Sequence, residues 1–232
     1  MASECYGCGD EYTYLNRHWT GETIDCGFPE PTERERSIIR GLMLGDASLC
    51  RSNSRPYLQI SVVSELFLEW CADQLWRFGP SVNLVETASE VAERVNQTDW
   101  SDGLTENDCS DVHQLRTVGH PVFEEFDWYE DGVKRFPDDL SVDALSAKLW
   151  YVCDGDLKNS NRESHSEKPR ITCRTEDEQP QFLLDLFRQH GFDPYWDELP
   201  SKVCFRVSEV DEFFDWIGES VPGFGYKWPT EG

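Results

Sequence analysis

Two glycines four residues apart, Gly41 and Gly45, interrupt the apolar run Ile38-Ile39-Arg40-Gly41-Leu42-Met43-Leu44-Gly45-Asp46-Ala47-Ser48-Leu49. A spacing of four puts both on one face of a helix. Each glycine costs about 0.5–1 kcal/mol relative to alanine in a helix interior, so the pair implies a gain elsewhere: close approach by a second helix. The segment Ala144-Leu145-Ser146-Ala147-Lys148-Leu149-Trp150-Tyr151-Val152-Cys153-Asp154-Gly155 follows the same grammar and offers small groups at Ala144, Ala147 and Cys153. Both runs end in an aspartate. If the helices lie side by side, Asp46 and Asp154 meet at one end, disfavoured by each other and by the negative ends of both helices. A divalent cation removes both penalties, and hard oxygen ligands with open positions suit Mg²⁺ and phosphodiester hydrolysis. Taken singly, each aspartate is equally a helix-terminal residue entering a turn.

The elements around the two helices repeat in order. After Asp46 come strands at 49–52 and 57–62 joined by a polar turn, an amphipathic helix at 65–78 stopped by Gly79-Pro80, a strand at 82–85, a polar acidic stretch at 87–111 that reads as a loop or insertion, a strand at 112–118, and a helix opening at Pro121. After Asp154 come strands at 157–161 and 169–174, a helix at 181–190, a strand at 203–207 and a helix at 210–218. The letters match in the same order: Arg55-Pro56-Tyr57 with Lys168-Pro169-Arg170, Phe67-Leu68 with Phe182-Leu183, Leu115-Arg116-Thr117 with Phe205-Arg206-Val207, and Phe126-Asp127-Trp128 with Phe214-Asp215-Trp216. Each copy closes on a lysine shortly before a proline, Lys134 and Lys227.

The two helix runs, with Phe136-Pro137-Asp138-Asp139-Leu140 leading into the second, resemble the signature helices of the LAGLIDADG homing endonucleases, single-chain two-repeat type, over residues 33–229. The resemblance implies an α+β fold. Two pseudo-symmetric αββαββα repeats, 31–137 and 138–232, would form a saddle of two antiparallel sheets over duplex DNA. The central helices would be paired, and Asp46 and Asp154 would be the catalytic, Mg²⁺-binding residues. It further implies a monomer with an internal pseudo-twofold. Ala47 stands in place of the family's closing glycine, and Cys153 where many relatives carry a further acid.

Strand alternation bears independently on DNA contact. Tyr57, Gln59 and Ser61 alternate with Leu58, Ile60 and Val62; Arg170, Thr172 and Arg174 alternate with Ile171 and Cys173; Arg116 and Arg206 lie opposite Leu115 and Phe205. Arginine suits guanine and glutamine suits adenine in a major groove. Arg51, Arg55, Lys158, Arg162 and Lys168 in the strands and turns would meet bases or phosphates, and Lys134 and Lys227 would approach the scissile phosphates. A solvated face accounts for each exposed arginine equally well when it is taken alone.

Residues 1–30 carry Cys5-x-x-Cys8, His18 and Cys26, a ligand set for one tetrahedral Zn²⁺. The segment's few apolar residues, Tyr12, Tyr14, Leu15, Trp19 and Phe28, are too few for a core, so we expect a structural zinc module. The chain's net charge of −24 should repel polyanions. Acid spread along the whole length, with only six lysines among 21 basic residues, resembles a halophilic surface. In molar salt, screening shrinks to ~3 Å and net charge no longer bars DNA. Composition alone leaves open an ordinary acidic protein with no such partner.

No apolar run reaches the ~18 residues of a membrane span, and no signal-like start is present. The nine cysteines are odd in number, and Cys50, Cys71, Cys153, Cys173 and Cys204 sit singly in apolar contexts. We expect a cytoplasmic protein in a reducing compartment. The first Met and the Thr-Glu-Gly end give no sign of a self-splicing intein. The leading expectation is a site-specific double-strand DNA endonuclease from a mobile intron in a halophile. Beside it stand a non-cleaving DNA-binding regulator or an RNA-splicing maturase acting on intron RNA on the same scaffold, and an acidic α+β protein with a structural zinc and no nucleic-acid role.

Overall fold

Proline at 31 and acid at 33 and 35 start the long helix where the sequence predicts it, and the computed structural model describes the chain except residues 1–2, 6–7, 13, 20–25, 53–54, 99–102, 159–167, 174–178, 200 and 230–232. In order, the elements are β1 (Ser3–Glu4), β2 (Glu11–Tyr12), α1 (Leu15–Trp19), α2 (Glu33–Leu44), β3 (Ser48–Ser52), β4 (Arg55–Val62), α3 (Glu65–Gln74), β5 (Ser81–Glu86), α4 (Ala88–Asn96), β6 (Val112–Arg116), β7 (Tyr129–Glu130), β8 (Val133–Lys134), α5 (Ala144–Asp154), β9 (Gly155–Lys158), β10 (Lys168–Thr172), α6 (Pro180–Arg188), β11 (Tyr195–Asp197), β12 (Lys202–Cys204) and α7 (Val210–Ile217). No helix among the described residues is long and apolar enough to cross a membrane.

The chain divides into two compact units: Met1–Thr32 with Ala47–Glu125, and Glu33–Asp46 with Phe126–Gly232. The first holds the sheet β3-β4-β6-β5 and the second the sheet β11-β12-β10-β9. Both are antiparallel, and both run in the order first, second, fourth, third strand of their repeat when traced from the strand that follows the aspartate. This is the duplicated α+β architecture that the sequence predicts. In the first sheet Leu58, Ile60 and Leu115 are buried, beside Phe67, Leu68 and Cys71 of α3. In the second unit Ile171 and Val203 are buried, as are Trp150, Phe187, Phe205 and Phe213.

Pairing register corrects the letter-by-letter alignment of the repeats. Ser48, two residues after Asp46, pairs with Gln59; Asp156, two residues after Asp154, pairs with Arg170. Gln59 therefore corresponds to Arg170 rather than Thr172, and Arg116 to Cys204 rather than Arg206. The prolines mislead the alignment: Pro56 pairs with Arg51, whereas Pro169 pairs with Leu157 and so occupies the place of Leu58. Both slips are of two residues, so each side chain keeps its face.

Local elements differ from the expected ones in several places. The acidic stretch at 87–111 contains α4, nucleated by a capping box in which Thr87 and Glu90 satisfy each other's backbone N–H groups. The element opening at Pro121 is a 3-10 helix ending at Phe126, not a helix to 129. The hairpin β7–β8 turns on Asp131 (φ 49°) and Gly132 (φ 79°), the left-handed pair of a two-residue turn. The strand expected at 203–207 ends at Cys204, and β11 precedes it where the sequence suggests none.

Within the second unit, α2 and α5 run parallel at backbone range. A Cβ placed on Gly41 would lie 2.6 Å from the Ser146 carbonyl oxygen and 2.8 Å from the Leu149 Cβ; one on Gly45 would lie 2.3 Å from the Cys153 Cβ. At the other end, Asp143 caps α5 through the Ser146 N–H (2.8 Å), and its second oxygen accepts from the Ser37 hydroxyl and the Arg40 guanidinium (3.5 Å) of α2.

Overpacking this seam should cost about 1–3 kcal/mol per methyl. Gly41→Ala and Gly45→Ala are each expected to lower the unfolding free energy by that amount, read in urea as a lower midpoint at unchanged slope. Adding Cys153→Gly should recover much of the loss at 45 and none at 41.

Candidate functional site

The seam also sets where the aspartates lie, because Asp154 is the last residue of α5 and Asp46 stands two residues past the end of α2. The Asp154 carboxylate oxygen lies 3.5 Å from where a Gly45 Cβ would be, so it sits against the end of α2 beside Asp46, which is exposed. Burial, and then the Asp46 charge, push the Asp154 carboxyl up to about 7; Lys134, Lys227 and the Trp150 side chain pull in the opposite direction. Burial and the same two carboxylates also raise the Cys153 thiol.

A lysine closes each helix. Lys134, delivered by the β7–β8 hairpin, donates to the carbonyls of Met43 (2.8 Å) and Gly45 (3.0 Å) at the end of α2. Lys227 donates to Val152 (2.6 Å) at the end of α5, and its own carbonyl accepts from the buried Tyr151 hydroxyl (2.7 Å). Burial lowers the Lys227 pKa against the opposing pull of the nearby acids. The two lysines thus offset the negative helix ends that the aspartates aggravate. Two carboxylates and helix-end carbonyls form a hard-oxygen set that fits a divalent cation such as Mg²⁺.

The N-terminal ligands also come together. The donor atoms of Cys5, Cys8, His18 and Cys26 lie within 4.8 Å of one another, with Cys5 to Cys26 at 3.4 Å and Cys8 to His18 Nε2 at 3.2 Å. A tetrahedral ion with bonds near ~2.3 Å would hold thiolates ~3.7 Å apart, so the cluster fits zinc. Burial and the adjacent Cys5 and Cys8 thiols push the Cys26 thiol up to about 12, so metal binding must displace its proton. The module's aromatics join the first unit's core: Trp19 and Phe28 pack edge-on against His120, itself against Phe78. Val122 N–H donates to His120 Nδ1, so Nε2 carries the proton that it gives to the Pro29 carbonyl (3.1 Å).

The expected DNA readers are placed unevenly. Gln59, Ser61 and Arg116 share the face of the first sheet opposite Leu58 and Ile60. Tyr57 shares it but is 9% exposed, covered by the Arg116 guanidinium 4.0 Å above its ring. Arg55 sits over Phe28 of the N-terminal module (4.5 Å). Arg51 pairs with Pro56, on the opposite face from Tyr57, and is exposed. In the second sheet Lys168, Arg170 and Thr172 share one face with Lys158, whose side chain lies outside the described residues, as do Arg162 and Arg174 entirely. Arg206 lies beyond β12, where its guanidinium binds Asp193 (2.7 Å). Register adds Gln114 and Asn83 to the first face and Asp156, Lys202 and Tyr195 to the second. The alternation Gln114-Leu115-Arg116 and Lys202-Val203-Cys204 is the sequence signal for two of them.

No family model matches the chain. It is 25% identical over 186 residues to the uncharacterized protein MJ1098 of Methanocaldococcus jannaschii, covering 78% of this chain, and it spans 62% of that protein's length. Among solved structures it is similar to the homing endonuclease I-WcaI bound to its DNA recognition sequence (TM-score 0.67, 12% identity, 87% of this chain and 88% of that one). It is also similar to the meganuclease I-SmaMI bound to uncleavable DNA (TM-score 0.51, 11% identity, 87% and 88%). The fold is that of the LAGLIDADG homing endonucleases.

A carboxyl whose pKa rises from its ordinary value to about 7 on folding favours the fold at low pH, and that contribution is lost as pH rises from about 4 to about 7. Without divalent metal, carboxyl ¹³C NMR should place the Asp154 titration near pH 7, and Asp46→Asn should move it down. At the N-terminus, elemental analysis should find one zinc per chain, absent after Cys26→Ser. Chelation should change Trp19 fluorescence while leaving the second unit folded.

Proposed function

We propose that the chain is a site-specific double-strand DNA endonuclease that works as a monomer. The observation that carries this reading is the meeting of Asp46 and Asp154 at the ends of two helices held at backbone contact, each end closed by a lysine. Asp46 and Asp154 would hold Mg²⁺. Such an ion acidifies water and stabilises the leaving oxygen of a phosphodiester. The chain's own part is to keep two carboxylates together at a cost that only a cation removes, to release the Asp154 proton when the ion enters, and to offer Lys134 and Lys227 to phosphate oxygens.

The readers Gln59, Ser61, Arg116, Lys168, Arg170 and Thr172 would face DNA, with Arg51, Arg55, Lys158, Arg162 and Arg174 at the margins. The N-terminal zinc would stabilise the module that packs into the first unit. Similar structures bound to DNA support the partner. The −24 charge is consistent with work in high salt, where repulsion is screened and counterion release contributes less to binding. An intron or similar mobile element in a halophile is the natural setting on this reading.

Incubated with its host's insertion junctions in Mg²⁺ and molar KCl, the protein should cut both strands. Asp46→Asn and Asp154→Asn should each reduce cutting at least about a hundredfold, the scale of losing one charged partner in a transition state, while binding persists. Specific binding without any cut by the wild type would favour a regulator or, with intron RNA, a maturase.

A further inference from the structure

The outward face of the second sheet carries a charged cluster where the first sheet has neutral groups. Asp156 on β9 pairs across from Arg170 on β10, and Lys202 on β12 lies on the same face, diagonal to Arg170. One Asp156 oxygen accepts from Arg170 Nε (2.8 Å) and Nη2, and the other accepts from Lys202 Nζ. Burial alone would raise the Asp156 carboxyl, but Lys202 and Arg170 hold it below the usual range. The side chains of Arg170 and Lys202 are 17% and 13% exposed, so both heads are held in place rather than sweeping solvent.

The fold does not require this cluster. Register places Ser48, Gln59 and Gln114 at the equivalent positions of the first sheet, where the same four-stranded arrangement forms with uncharged side chains at these three places and Gln114 donating to Ser61 (3.0 Å). Part-exposed ion pairs add little stability. The bonding pattern, by contrast, has a consequence for recognition. Asp156 takes the Nε–Nη2 edge of the guanidinium. Arginine carries five N–H donors, so the Nη1–Nη2 edge still holds a bidentate pair. Lys202 gives one of its three protons to Asp156 and keeps two. Guanine's O6 and N7 are the major-groove acceptors that match both heads.

We propose that Asp156, Arg170 and Lys202 form a preset guanine reader, with Arg170 and Lys202 contacting bases and Asp156 acting as the positioning residue for both. This rests on the DNA reading proposed above and specifies it: the half-site met by the second sheet carries two G·C pairs close together. Diagonal neighbours in a sheet stand roughly 7–8 Å apart, about two steps of DNA at ~3.4 Å per base along a strand, so the guanines fall within about three base pairs. The corresponding Gln59 and Gln114 of the first sheet favour adenine.

Selection from a random duplex library, without added divalent metal, tests this on the full chain. The wild type should enrich one half-site with two guanines within three base pairs. Arg170→Gln should lower guanine preference at one of them by about ten- to a hundredfold, and Lys202→Gln at the other. Asp156→Asn should weaken preference at both while affinity for random duplex holds or rises, because a carboxylate has left the DNA face; Asp156→Glu should keep it. If the variants lower only the melting temperature and leave the base profile unchanged, the cluster is structural and the inference fails while the DNA reading stands. If the wild type enriches no sequence at all, the DNA reading fails and takes the inference with it.

Discussion

The contact on which the second unit depends is the meeting of α2 and α5 along Gly41 and Gly45, where neither glycine has room for a Cβ: Gly41 lies against the Ser146 backbone and Gly45 against the Cys153 side chain. It fixes the two helices in parallel and ends them together, so Asp154 at the end of α5 and Asp46 two residues past α2 are brought to one place. Had either glycine been alanine, the helices would stand further apart and the two aspartates with them. Asp143 supports the same seam from the opposite end by capping α5 and taking bonds from Ser37 and Arg40 of α2. One geometric constraint therefore decides both packing and the position of the acids.

Bringing two carboxylates to two negative helix ends is electrostatically unfavourable, and the structure shows the response. Lys134 and Lys227 reach the last carbonyls of their helices from unrelated elements, a hairpin and a C-terminal turn. Their positive charge offsets the negative helix ends. Asp154 remains displaced to about 7, so the compensation is incomplete. A cation placed between the two carboxylates would relieve what repulsion remains, which is why the proposed reading assigns them a metal.

The helices, the duplication and the cysteine-histidine cluster were legible because each is a local pattern repeated or closed on itself: glycines four apart, an aspartate at each helix end, four metal ligands in a short segment. Face alternation along strands was legible for the same reason, since a period of two survives even when the repeats are aligned two residues out. Register was not, because Pro56 and Pro169 look equivalent as letters while their partners across the sheet, Arg51 and Leu157, show that they are not. The Asp131-Gly132 turn carries a readable hairpin signature, but strands of two residues give too little pattern around it. What lies on top of a reader could not be seen either: Tyr57 is covered by Arg116, Arg55 lies on Phe28 and Arg206 is held by Asp193, contacts made by residues far apart in sequence or across loops. Asp156 carries no pattern of its own in the sequence, and only the pairing of β10 with β9 on one side and β12 on the other shows it as the anchor of two cations.

The most direct test of the paired-aspartate site is anomalous diffraction from Mn²⁺ in crystals of the full chain grown with duplex DNA. A peak ligated by carboxylate oxygens of both Asp46 and Asp154 is the expected result. Well-ordered carboxylates with no metal between them, or an ion bound elsewhere and touching neither, would contradict it.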